Sequence, residues 1–122
     1  MKPGVRLHIR DRDDTSEPAI GPGKIALLEA IGSTGSITAA ARMLGMSYRR
    51  AWLLVDETNR CLVAAAVATT AGGKRGGGTL LTPTGAELVK RYRALEREAS
   101  SAVARKLGAL LRDVPRRHRV QK

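Results

Sequence analysis

Hydrophobic and polar positions change rhythm several times along this chain, and each rhythm predicts an element. Val5, Leu7 and Ile9 alternate with Arg6, His8 and Arg10, a period of two that predicts a short strand with one buried face and a need for a pairing partner. The stretch DRDDTSEPAIGPG that follows is polar and turn-rich and reads as a solvated connector. From Pro22, well placed at a helix start, Ile25, Leu28 and Ile31 with Leu27 beside them keep helical spacing to about Ser33 and predict a first core helix.

Two short helical patterns then meet at a corner, Leu44-Gly45-Met46-Ser47. Ser36 is a good N-cap for the first, whose apolar face carries Ile37, Ala40, Ala41 and Leu44. Ala40 and Ala41 give the clearance that two steeply crossing helices need. Gly45 suits the left-handed residue that ends a helix, and Ser47 suits the cap of the next. In that second helix Ala51, Val55 and Thr58 fall on one face with Leu54 beside them, and Arg49, Leu53, Asp56 and Arg60 fall opposite. The unit reads as a helix-turn-helix, and the bland alternative is an αα-hairpin with a solvated basic end.

Beyond Arg60, CLVAAAVATTA mixes helix-favouring Ala with strand-favouring Val and Thr, and its end, about Ala66 to Thr70, is read as a strand. GGKRGGG is a loop with Lys74 and Arg75 at its tip, and Thr79 to Thr82 return as a second strand. A phosphate cradle is disfavoured there, because no Gly-Lys-Ser/Thr follows and no Gly-x-Gly-x-x-Gly opens a helix. The hairpin reads as a wing.

From about Pro83 to Val114 the pattern is one long helix, capped by Thr82 or Thr84, with Leu88, Tyr92, Leu95, Ala99, Val103, Leu107, Leu110 and Val114 spaced by three or four. A single small domain cannot cover both ends of a helix ~45 Å long. Its exposed part is expected to pair with the same helix of a second subunit. The alternative is a helix lying wholly on its own domain.

Composition sharpens the functional side. At 122 residues the chain suits one domain with tails, divided here into 1–82, the long helix 83–114 and a basic tail 115–122 with Arg116, Arg117, Arg119 and Lys122. Twenty-two Lys and Arg against 11 Asp and Glu leave a net charge of +11, which implies a polyanionic partner. Aromatic content of 2% with no Phe argues against the stacking platforms of single-strand and many RNA binders and favours duplex DNA.

No segment approaches the ~20 apolar residues of a membrane span. The N-terminus has no apolar core before a small-residue cleavage site, so a cytoplasmic, nucleoid-associated protein without membrane contact is expected. Cys61, the one cysteine, excludes an internal disulfide and is expected as a core thiol. His8 and His118 give it no metal-ligand spacing, and a cation site on Asp11, Asp13, Asp14 and Glu17 competes with Arg10 and Arg12. Neither metal, cofactor nor catalytic residues are expected, since no nucleophile, base and orienting group form a set.

The fold class expected is mainly α with a small β wing, a winged helix-turn-helix with a long C-terminal dimerisation helix. The segments GPGKIALLEAI, TGSITAAARMLGMSYRRAW, GGKRGGG and LTPTG, spanning Gly21 to Gly85, resemble the DNA-binding domain of the bacterial ModE family of molybdate-responsive transcriptional regulators. The alanine-rich helix and the Leu-Thr-x-x-Gly lead-in are also similar to LysR-type regulators. The resemblance implies a homodimer that binds duplex DNA and regulates transcription, without catalysis.

Candidate DNA contacts are Ser36, Thr38, Ser47, Tyr48, Arg49, Arg50, Leu53, Lys74 and Arg75, with Trp52 expected as partly buried support. Candidate dimer contacts are Leu88, Tyr92, Leu95, Ala99, Val103, Leu107 and Leu110. Molybdate-sensing relatives continue into oxyanion-binding modules whereas this sequence stops at Lys122, so sensing is not carried over and an effector or partner protein stays open. At Val67-Ala68-Thr69 the chain departs from the Val-Glu-Arg-like charges expected in the family, which leaves open how the base of the wing is anchored. Rival readings are a helical adaptor that binds DNA only nonspecifically, and an oxyanion-responsive sensor.

Overall fold

A computed structural model describes residues 4–10, 20–69 and 78–113. Helix α1 (Pro22–Thr34) starts with proline in its first turn, where a missing amide hydrogen costs nothing. Helices α2 (Ile37–Leu44) and α3 (Tyr48–Arg60) follow, then strands β1 (Val67–Thr69) and β2 (Thr79–Leu81), and helix α4 (Pro83–Asp113). The strands are antiparallel, with Val67 opposite Leu81, Ala68 opposite Leu80 and Thr69 opposite Thr79. This is a winged helix-turn-helix.

The corner between α2 and α3 is built as its residues require. Gly45 sits at φ 68°, its N–H donates to the Arg42 carbonyl at 3.2 Å, and the Met46 N–H reaches back to the Ala41 carbonyl at 3.0 Å. The last carbonyls of α2 are thereby satisfied by two reverse bonds around one left-handed residue. The core lies between α1, α2 and α3 and is closed by β1 and α4. Ile25, Leu27, Leu28 and Ile31 of α1 meet Ile37, Ala40 and Ala41 of α2 and Ala51, Leu54 and Val55 of α3, with Ala66, Val67 and Tyr92 at the far side.

Two expectations about the fold are corrected. The alternating segment Val5 to Arg10 does not form a strand; it makes a single antiparallel bridge, in which Ile9 N donates to Ile20 O at 2.8 Å and Ile20 N to Ile9 O at 3.2 Å. Helix α1 begins just past Ile20 and ends the ladder, so Leu7 packs against the core while Ile9 stays exposed. Cys61 is exposed and not a core thiol, because it stands just past α3, where the chain leaves the core before Ala66 and Val67 return to it. The acidic cluster Asp11, Asp13, Asp14 and Glu17, the wing tip with Lys74 and Arg75, and the basic tail lie outside the described residues.

Candidate nucleic-acid interface

Two serine caps start the two helices of the helix-turn-helix. Ser36 Oγ accepts the Ala39 N–H at 3.0 Å, and Ser47 Oγ accepts the Arg50 N–H at 3.0 Å. Each cap satisfies one of the amide donors that a helix start leaves open. Helix α3 turns Ala51, Leu54, Val55 and Thr58 into the core, and the buried Thr58 hydroxyl donates to the Leu54 carbonyl at 2.8 Å. The opposite face is thereby committed to solvent. It presents Tyr48, Arg49, Arg50, Trp52 and Leu53, all exposed.

Tyr48, Arg49, Trp52 and Leu53 line an open depression of about 420 Å³ on this face. Trp52 is 49% exposed, so it stands beside Tyr48 on the outward face and not beneath it as support. Between Ser36 and Val55 there is no acidic residue, whereas Arg42, Arg49 and Arg50 are all present and exposed. The nearest acids further along α3 are engaged, Asp56 with Arg60 one turn on and Glu57 with Lys24 at 3.1 Å. The positive end of the helix macrodipole adds to this local excess. The surface suits an anion with apolar features.

Among the other predicted contacts, Thr38 is exposed on α2, while Ser36 is half-buried and its hydroxyl is engaged in the cap. Ser47 is exposed and likewise engaged. Lys74 and Arg75 are outside the described residues.

The base of the wing is held by a residue that sequence reading did not single out. Asn59 donates from Nδ2 to the Val67 carbonyl at 3.2 Å, and its Oδ1 accepts from the amides of Ala66 at 2.9 Å and Val67 at 3.2 Å. Thr82 supports it from the other side: its hydroxyl donates to the Ala65 carbonyl at 2.6 Å and its N–H to the Ala66 carbonyl at 2.9 Å. The same hydroxyl accepts the Gly85 N–H at 3.0 Å and so caps α4. Thr79 N donates to the Gly35 carbonyl at 3.1 Å, joining β2 to the link before α2. Wing and α3 therefore share one hydrogen-bonded frame. An Asn at the end of a helical pattern was the available signal, but its partners are remote in sequence.

The apolar stripe of α4 divides. Leu88 packs against the core, and Tyr92, 1% exposed, is part of it and donates its hydroxyl to the Leu7 carbonyl at 2.7 Å. Burial, and then the Glu96 charge, raise the Tyr92 phenol above its ordinary value, so it remains a neutral donor. Arg93 beside it clamps α4 to α1: Nε and one terminal nitrogen donate to the two oxygens of Glu29 at 3.0 and 2.7 Å, and the other donates to Glu96 at 2.7 Å. Further along, Leu95, Leu107 and Leu110 are exposed, with Ala99 and Val103 half-buried. Among the described residues no cluster of three or more His, Cys, Asp and Glu could hold a metal ion. No helix among them is long and apolar enough to cross a membrane.

No protein-family model matches the chain. Individual relatives do. It is 51% identical over 77 residues to the molybdenum-pterin-binding protein MopB of Rhodobacter capsulatus, covering 63% of this chain and 28% of that protein. It is 45% identical over 87 residues to the molybdenum transport protein ModE of Azotobacter vinelandii, covering 71% and 32%. It is 39% identical over 71 residues to the DNA-binding transcriptional dual regulator ModE of Escherichia coli K12, covering 58% and 27%. The chain thus spans between a quarter and a third of the length of the relatives it matches, and over that part the resemblance to ModE-type proteins is one of sequence identity.

Proposed function

Because most of this chain matches ModE-type proteins, we propose that it is a sequence-specific duplex-DNA-binding transcriptional regulator acting as a homodimer. The observation that carries the reading is the outward face of α3. It is capped, free of acids over its first two turns, and lined by Arg49, Arg50 and exposed apolar side chains, while its other face is locked in the core. A helix of ~10–12 Å diameter fits the major groove of B-DNA.

In this reading α3 enters the major groove with Arg49 and Arg50 toward bases or phosphates. Tyr48 and Leu53 lie alongside, and Thr38 and the caps Ser36 and Ser47 face the backbone. Lys74 and Arg75 extend along the adjacent minor groove or backbone. The exposed part of α4 pairs with its copy through Leu95, Ala99, Val103, Leu107 and Leu110, which sets two half-sites one helical turn, ~34 Å, or a multiple of it apart.

Selection from a random duplex library at physiological salt tests the reading. A two-fold symmetric motif is expected; featureless binding overturns it in favour of a helical adaptor with nonspecific affinity. Sedimentation velocity tests the dimer. Two of the relatives are named for molybdenum-pterin binding or molybdenum transport, so an oxyanion-responsive regulator is the second reading. Calorimetric titration with molybdate decides it, and absence of binding heat removes it.

A further inference from the structure

We infer that Tyr48, Trp52 and Leu53 form a thymine-reading surface that takes the 5-methyl group of thymine in the major groove. The inference rests on the proposed duplex-DNA reading and adds to it the identity of a base.

The chain has one Trp, two Tyr and no Phe. Tyr92 is buried in the core, and both remaining aromatic side chains stand outward on the first two turns of α3. They are 49% exposed at Trp52 and 55% at Tyr48, and Leu53 beside them is 37% exposed. Positions 48 and 52 are one turn apart, so they share a face, with Arg49 and Leu53 completing the depression. The fold does not require these residues there, because Ala51, Leu54, Val55 and Thr58 already fill the inward face. An apolar cluster left exposed on a rigid helix marks a contact surface.

Its surroundings define the occupant. The absence of acids from Ser36 to Val55, together with Arg42, Arg49 and Arg50, selects a polyanion. Within the major groove of a duplex, the thymine 5-methyl is the apolar group that base edges present, and apolar side chains read it by contact. Arg49 on the rim of the same depression can reach an adjacent phosphate or guanine, so polar and apolar readout sit side by side.

The test uses the full chain and the duplex recovered by library selection, with each thymine replaced in turn by deoxyuridine, which removes only the methyl. Affinity and the emission of Trp52, the sole tryptophan, are read together. At one or two positions of each half-site the replacement is expected to weaken binding ~3- to 5-fold, the scale of one buried methyl, and to diminish the emission change. Trp52→Ala and Leu53→Ala, at exposed positions and checked for retained helicity, are expected to bring the thymine-to-uracil ratio to about one at those positions.

A selected two-fold motif with no uracil-sensitive position overturns the inference and leaves the regulator reading standing. Selection without any motif overturns that reading itself. A Trp52 emission shift that follows protein concentration in the absence of DNA, and that persists in Leu107→Glu with Leu110→Glu, places a second copy of the chain on this face and also overturns the inference.

Discussion

Asn59, in the last turn of α3, grips both backbone polar groups of Val67, donating to its carbonyl at 3.2 Å and accepting from its amide at 3.2 Å. With the further bond from Ala66 at 2.9 Å, one side chain ties α3 to the first strand of the wing. Positions 68 and 69 are Ala and Thr, so charges there have no part in this anchoring. Asn59→Ala is expected to cost ~1.5–4.5 kcal/mol in urea unfolding, since it removes three partly buried bonds each worth ~0.5–1.5 kcal/mol net. Asn59→Asp keeps one acceptor oxygen but sets a second carboxylate oxygen against the Val67 carbonyl, acceptor facing acceptor, so it should recover little of the loss.

Gly85 allows a close approach between α4 and the segment leading into β1. A Cβ there would lie 2.6 Å from Leu81 Cδ1 and run into the Ala66 carbonyl oxygen, which is backbone and cannot swing aside. Gly85→Ala is expected to destabilise by ~1–3 kcal/mol and lower Tm, despite alanine's better helix propensity. Unchanged stability would show that the junction can open without cost.

Glu29 carries a pH signature. Hydrogen bonds from Arg93 hold its carboxyl below the ordinary value of 4.5; partial burial opposes this and the Arg93 charge reinforces it. A depressed carboxylate contributes stability that is complete above its unfolded value and is lost as pH falls through the folded one. From about pH 5 to about pH 3 the wild-type Tm should therefore fall more steeply than that of Glu29→Gln. Parallel curves would deny the clamp an energetic role. The pair is partly exposed, so its salt-sensitive contribution should be modest.

Replacing Arg49 with Ala is expected to cost ~1–3 kcal/mol of binding and relax one base position if the guanidinium pairs with guanine. Uniform weakening across all sequences would instead make it a phosphate contact. Lys74→Ala with Arg75→Ala should weaken binding and flatten its dependence on salt, and an unchanged slope would exclude an electrostatic role for the wing tip.

The divided stripe of α4 separates two kinds of variant. Leu107→Glu with Leu110→Glu alters exposed positions, so it should shift sedimentation from dimer to monomer with little change in far-UV signal or in core stability. Tyr92→Ala removes a core side chain and should cost ~3–5 kcal/mol at any protein concentration. A dimer that survives the double glutamate change would locate the subunit contact elsewhere.

What the sequence determined by itself is local: three compact helices, the αL corner at Gly45, the serine caps, the hairpin ends and the long helix. These depend on contacts within about four residues, where helical spacing, capping hydroxyls and backbone preferences act directly. Arg49 and Leu53 were legible as outward for the same reason, since their inward partners recur at helical spacing, whereas Trp52 was expected as support and stands exposed.

Tertiary structure decided the rest. A period of two from Val5 to Ile9 states that a partner strand is wanted, but not that only Ile20 is available before α1 begins. An apolar run after Arg60 does not say that Cys61 remains outside the core. The bond from Tyr92 to Leu7 and the clamp from Arg93 to Glu29 join residues 85 and 64 positions apart. Such pairings arise only when the packed helices fix which polar groups meet, and they determine where the core-facing stripe of α4 ends and its exposed continuation begins.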